Sequence, residues 1–247
     1  MLTLAAKALE SGFGVIRLNV RNCGGTEHLA PTLYHSGLTA DLRSVIDQLA
    51  PKPVFVVGFS MGGNMALKLA GEWGDDPPGH VLGVCSISAP IRLGECSKRI
   101  GEFRNRVYEI RFLRQLRAAL RKKRRLQPEI FPEWDFSGVD SIWEFDDRFT
   151  APSFGFGTAE NYYAQASAAG YLDKIRVPAL VLQAEDDPFI PFETYRDEAF
   201  DSNPALSLLT SRNGGHVAFL ATRSPRFWAE AQAVRFAQTM TGRMTQP

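Results

Sequence analysis

The chain has 247 residues, 45% of them hydrophobic and 22% charged, enough to bury one substantial core and to read as a soluble globular enzyme. A net charge of +1 argues against a general nucleic-acid role, and three cysteines provide no complete disulfide framework. With no basic leader before an apolar segment and no run of about 18 apolar residues, the cytoplasm is the expected compartment.

In chain order, Leu2, Leu4, Ala5, Ala8 and Leu9 recur at helical spacing, and Gly14–Val20 follows as an apolar strand. The loop Arg21 to Glu27 at that strand's carboxyl end, with Gly24 and Gly25 for a tight turn, reads as structural support. Tyr34 and His35 read as hydrogen-bonding struts. A helix over Leu38–Leu49 leads to the buried-type strand Val54–Phe59, a helix near Asn64–Glu72 and the apolar strand Val81–Ser88, in which Cys85 is a packed, reduced thiol. The later strands Ala179–Ala184 and Leu206–Thr210 alternate with helical stretches at Phe192–Phe200 and Arg226–Thr239. Alternation of this kind predicts an α/β fold, a mostly parallel sheet with helices on both faces.

Between residues 91 and 170 the alternation stops. The predicted organisation is therefore an amino-terminal part of the core over 1–90, an inserted helical lid over 91–170 and the remainder of the core over 171–247. Within the insertion, Lys98 to Arg125 carries twelve of the 28 basic residues and only two acids, Glu102 and Glu109. Val107, Ile110, Leu113, Leu116 and Leu120 recur at helical spacing beneath them. The segment Arg111–Arg125 thus reads either as a solvated helix whose apolar stripe packs on the core, or as a basic amphipathic helix for an anionic membrane surface. The aromatics Phe154, Phe156, Tyr162 and Tyr163 suit either an acyl pocket or the interior of the lid.

The chemistry concentrates at Gly58-Phe59-Ser60-Met61-Gly62, a Gly-x-Ser-x-Gly pattern between strand and helix. A sharp turn there holds a serine away from competing backbone partners, and small residues at Gly58 and Gly62 are expected to relieve the crowding. The Met61 N–H, at the helix start, would then be half of an oxyanion hole. Such a serine requires an acid and then a histidine further along the chain. Asp187 ends the strand Ala179–Ala184 and precedes Pro188, and His216 follows the turn Asn213-Gly214-Gly215. Asp187 is preferred over its neighbour Asp186 as the acid, although Asp before Pro also caps turns. His28, His35 and His80 lack the required order. No metal-ligand spacing appears, and neither metal nor cofactor is expected.

These segments resemble the α/β-hydrolase superfamily. Arg21-Asn22-Cys23-Gly24-Gly25-Thr26-Glu27, Tyr34-His35-Ser36-Gly37, Phe145-Asp146-Asp147-Arg148-Phe149-Thr150-Ala151-Pro152, Asp186-Asp187-Pro188-Phe189 and Gly214-Gly215-His216-Val217 narrow the likeness to its YheT-like branch, which includes the plant embryogenesis-associated hydrolases. The resemblance covers nearly all of the chain and implies a triad of Ser60, Asp187 and His216. It also implies a serine carboxylesterase or lipase acting on small-molecule or lipid acyl esters.

By the family's topology, Met1 to Leu9 corresponds to the middle of a helix, so the first three strands and the loop supplying the second oxyanion donor are expected to be missing. Two explanations follow: a protein that begins upstream of Met1, which we favour, or a truncated paralogue with weak or no activity. An inactive remnant binding membrane or protein through its basic lid, and an acyltransferase or C–C bond hydrolase with the same triad, are the competing functions.

Overall fold

A computed structural model describes residues 1–242. Its sheet has four parallel strands in the order β1 (Val54–Phe59), β2 (Val81–Ile87), β3 (Ala179–Ala184) and β4 (Leu206–Ser211). β2 and β3 lie inside the sheet, and their near-continuous apolar sequences suit strands covered on both faces.

Alternate residues feed two cores. Val84 and Val181 pack with Leu67, Leu69, Leu172 and Ile175 on one face. Cys85, Leu180 and Leu182 pack with Phe219 and Ala233 on the other. The helices α1 (Leu2–Glu10), α2 (Thr39–Leu49) and α3 (Met61–Trp73) divide between those faces: α2 and α3 cover the first, and α1 joins the carboxyl-terminal helix Trp228–Met240 over the second. Lys7 pairs with Glu230 at 3.2 Å, tying α1 to that last helix.

Two expected elements differ. Gly14–Val20 forms no β-ladder, and Val15, Ile16 and Leu18 stand exposed. Strand composition is not sufficient, because an extended segment becomes a strand only when a neighbour takes up its N–H and C=O groups. Among the described residues nothing pairs with it, and β1 is an edge strand. The expected helix over Phe192–Phe200 divides into a 3₁₀ turn, Phe192–Tyr195, and a single turn, Ala199–Ser202. Asp197 lies between them, accepting from the Ala199 N–H and from Arg92, so its side chain competes with helix continuation.

The segment between β2 and β3 is helical, beginning with α4 (Leu93–Ile100) and α5 (Arg106–Leu126). A one-turn helix, Ile142–Phe145, starts at a capping box of Ser141 and Glu144, and Ala159–Ala166 follows. The segment has apolar clusters of its own, one around Leu113, Leu120, Phe145 and Phe149 and another around Leu93, Tyr162 and Tyr163. Phe154 and Phe156 pack on the His35 ring, and Tyr163 packs on Trp143. The aromatics singled out in the sequence therefore serve the interior of this layer.

The Phe145–Pro152 stretch includes a π-helical turn at Asp146–Thr150. Burial pushes the Asp146 carboxyl up from 3.8 to about 6, against the lowering effect of hydrogen bonds from Thr150 and Tyr163.

Asn64, wholly buried on α3, joins this insertion to the core. Its Nδ2 donates to the carbonyls of Ser36 (3.0 Å) and Ala166 (2.8 Å), and its Oδ1 accepts from the Ala168 N–H at 2.8 Å. Replacement by Ala orphans two buried backbone groups and one half-buried one, so Asn64→Ala should lower unfolding free energy by about 2–5 kcal/mol, read from urea midpoints. For Asp146 the sign follows from the raised value: folding favours the protonated acid. Its contribution is complete below about pH 4 and lost as pH rises through about 6. Asp146→Asn should therefore gain stability relative to the parent between pH 4 and 7, by about 1–3 kcal/mol in paired thermal melts.

Candidate active site

Ser60 joins β1 to α3 with φ 50° and ψ −122°, a backbone conformation that L-residues rarely adopt. Its N–H donates to the Ile87 carbonyl on the neighbouring strand at 2.8 Å, and its carbonyl accepts from Gly63 (2.9 Å) and Asn64 (3.1 Å). The turn is thus fixed from both sides.

Crowding falls on a different glycine pair from the expected one. A Cβ at Gly58 would lie 2.2 Å from the Gly62 carbonyl oxygen, and one at Gly63 would lie 2.6 Å from the Ser86 hydroxyl. Gly62 has open space around its Cβ position, which corrects the expectation that both flanking glycines relieve a clash. Met61 is the first residue of α3, where an N–H has no partner within the helix. That amide lies next to the Ser60 side chain.

The three side chains picked from the sequence meet at one point. Ser60 Oγ lies 2.8 Å from His216 Nε2, and His216 Nδ1 lies 2.9 Å from Asp187 Oδ2. With the carboxylate accepting from Nδ1–H, Nε2 is left as the acceptor for the serine hydroxyl proton. The Asp187 side chain is fully buried and His216 is partly exposed. Burying a carboxylate is costly unless its oxygens are occupied. Here Oδ1 accepts from the Phe189 N–H at 2.9 Å and the Ile190 N–H at 3.2 Å, while Oδ2 also faces Gln183 Nε2 at 3.4 Å.

Asp186 has another task. Its Oδ1 accepts from the N–H groups of Gly214 and Gly215, both at 2.8 Å, and so holds the loop that carries His216. The other histidines lie elsewhere. His35 Nδ1 accepts from the Gly37 N–H at 3.2 Å, and burial lowers its pKa to about 4, so it is a neutral strut. His80 Nε2 bonds the Ile46 carbonyl at 3.1 Å, and the His28 carbonyl accepts from Gln127.

Gln183 was not singled out in the sequence, although an amide within the otherwise apolar run Ala179–Ala184 signals a buried polar task. The role of Asp186 had no such signal.

Comparison with known proteins places this geometry in context. A family model described as alpha/beta hydrolase fold matches residues 3–221. The chain is 32% identical to the putative esterase YheT of Escherichia coli (strain K12), over 93% of this chain and 69% of that protein. It is 31% identical to phospholipase ABHD3 of Mus musculus, over 88% of this chain and 54% of that protein. It thus spans between about half and just over two thirds of these two relatives. A crystal structure of the Paleococcus ferrophilus monoacylglycerol lipase superposes with a TM-score of 0.55 at 16% identity, covering 98% of this chain and 88% of that one, a likeness of fold. The chain belongs to the α/β-hydrolase fold family and, within it, to the YheT-like branch.

Proposed function

We propose that this protein is a serine hydrolase that cleaves carboxylic acyl esters through an acyl-enzyme. The observation that carries the proposal is the unbroken contact from Ser60 Oγ to His216 Nε2 (2.8 Å) and from His216 Nδ1 to Asp187 Oδ2 (2.9 Å), on a strained turn. Ser60 attacks the ester carbonyl carbon as His216 takes its proton, and the tetrahedral oxyanion lies against the Met61 N–H. His216 then returns the proton to the departing alcohol. Water, deprotonated by the same imidazole, releases the acid and regenerates Ser60. Asp187 holds the tautomer and offsets the imidazolium charge. No step needs a cofactor. The relatives, a putative esterase and a phospholipase, support an ester substrate bearing an acyl chain.

The helical insertion is the proposed lid, and the way its basic helix divides its charges supports a lipid-facing surface. The rear half of α5 is committed internally. Leu113 and Leu120 are buried, Arg117 bonds the Val139 carbonyl, Lys122 pairs with Glu27 and Lys123 bonds the carbonyls of Glu27 and Ala30. The outward face runs Val107, Ile110, Arg111, Arg114, Ala118 and Arg121, with no acid, since Glu109 is turned inward. Phe103 just ahead of the helix is 96% exposed and Val107 is 79% exposed. An apolar tip followed by unopposed guanidinium groups suits an anionic lipid surface. No helix among the described residues is long and apolar enough to cross a membrane.

The protein should take up a fluorophosphonate probe and hydrolyse p-nitrophenyl esters, with both signals abolished in Ser60→Ala. Asp187→Asn should reduce turnover by about 10⁴. Absence of labelling in a folded protein would identify an inactive member, and preferential transfer to added alcohols over water would identify an acyltransferase. In sedimentation with phosphatidylglycerol vesicles, Phe103→Ser/Val107→Ser should weaken association about 10-fold or more while leaving soluble-ester turnover unchanged. Equal sedimentation of parent and variant would reject this surface.

A further inference from the structure

Asn105 immediately precedes α5, where an asparagine ordinarily accepts from the helix's own first amides. It makes no such cap. Only 2% exposed, it directs Nδ2 away from the helix, donating to the Arg99 carbonyl in α4 at 2.9 Å and to the Pro188 carbonyl at 2.7 Å, 83 residues along the chain. Pro188 directly follows Asp187. A side chain suited to stabilise its own helix is instead used to hold the acid's loop.

A second contact runs alongside. The Phe189 ring meets His216 edge-on at 5.0 Å between centroids, and it also meets Tyr108 at 4.9 Å and Phe112 at 5.8 Å, one helical turn apart on α5. The Phe189 N–H, as described above, occupies Asp187 Oδ1. One residue therefore touches the acid through its backbone, the base through its ring, and α5 through the other edges of that ring.

We infer that Asn105 and Phe189 are positioning residues that make the front of α5 part of the mounting of the Asp187–His216 pair. The hydrogen bond sets the height of the Asp187 loop, and the aromatic contact limits rotation of the His216 ring. Neither residue takes or gives a proton. The inference rests on the ester-hydrolase reading only for its kinetic consequence; the mechanical link stands on its own.

Hydrogen exchange on the whole chain tests that link without reference to activity. Asn105→Ala should speed exchange of the Phe189 and Ile190 amides about tenfold, since a lost buried hydrogen bond is worth about that factor. Leu113→Ala is the comparison, because it loosens the interior of the insertion without touching the Asp187 loop. Equal exchange in Asn105→Ala and the parent would overturn the inference, as would an equal acceleration in Leu113→Ala.

The kinetic arm uses a soluble p-nitrophenyl ester. Asn105→Ala and Phe189→Leu should each lower kcat about tenfold with KM within about threefold, and Phe189→Tyr should restore most of the rate, since it keeps the ring edge. A rise in KM at constant kcat, or an equal kcat loss in Leu113→Ala, would overturn the positioning role. If the parent is inert to the fluorophosphonate probe, the ester reading fails and the exchange result alone decides this one.

Discussion

Parallel pairing brings the carboxyl ends of β1, β2, β3 and β4 to one edge of the sheet, and every group at the site is hung from that edge. The register aligns Phe59 with Ile87, Ile87 with Leu182, and Ala184 with Ser211. The residues just past those positions are Ser60, the loop of Asp187, and the loop that reaches His216. A slip of β3 by one residue against its neighbours would turn the core side chains of β3 to the wrong face and carry Asp187 out of reach of the imidazole. The site's ångström-scale geometry is thus inherited from backbone hydrogen bonding in the sheet, and the local turns only refine it.

Much of this was legible in the sequence, because short buried strands and a glycine-flanked serine leave strong local marks. Val54–Phe59 and Ala179–Ala184 have the same bounds in the structure as in the sequence, and Ser60, Asp187 and His216 converge as their order along the chain implied. Gly14–Val20 shows the limit: its composition reports propensity, whereas a strand is a property of a pair. Asn105 shows another. An asparagine before a helix carries one local meaning, and only three-dimensional proximity to Pro188 gives it a different one. Gly62 is a milder case, since a sequence pattern does not say which of its glycines is crowded.

The insertion is less a free-standing cap than a layer bonded to the core at several separate points. Asn64 fixes it beside Ser36 and Ala166, and Arg92 donates to Asp197 Oδ2 at 2.6 Å. Its basic charges divide by direction: some are spent on carbonyl oxygens and on the carboxylates of Glu27 and Glu109, and others stand outward without an acid beside them. The same residue type therefore does two kinds of work on one helix.

Lys123 gives that division a mechanical meaning. It is 2% exposed and its ammonium is coordinated by the Glu27 and Ala30 carbonyls and by Gln127, while Lys122 meets Glu27 beside it. Withdrawing a buried ammonium from these acceptors is costly, so this end of α5 behaves as the fixed end of a beam. With the far end clamped, a push on the outward tip near Val107 is not relieved by the whole helix swinging away. It appears as bending at the near end, where the next covalent neighbour of a catalytic-type carboxylate is the first thing to move.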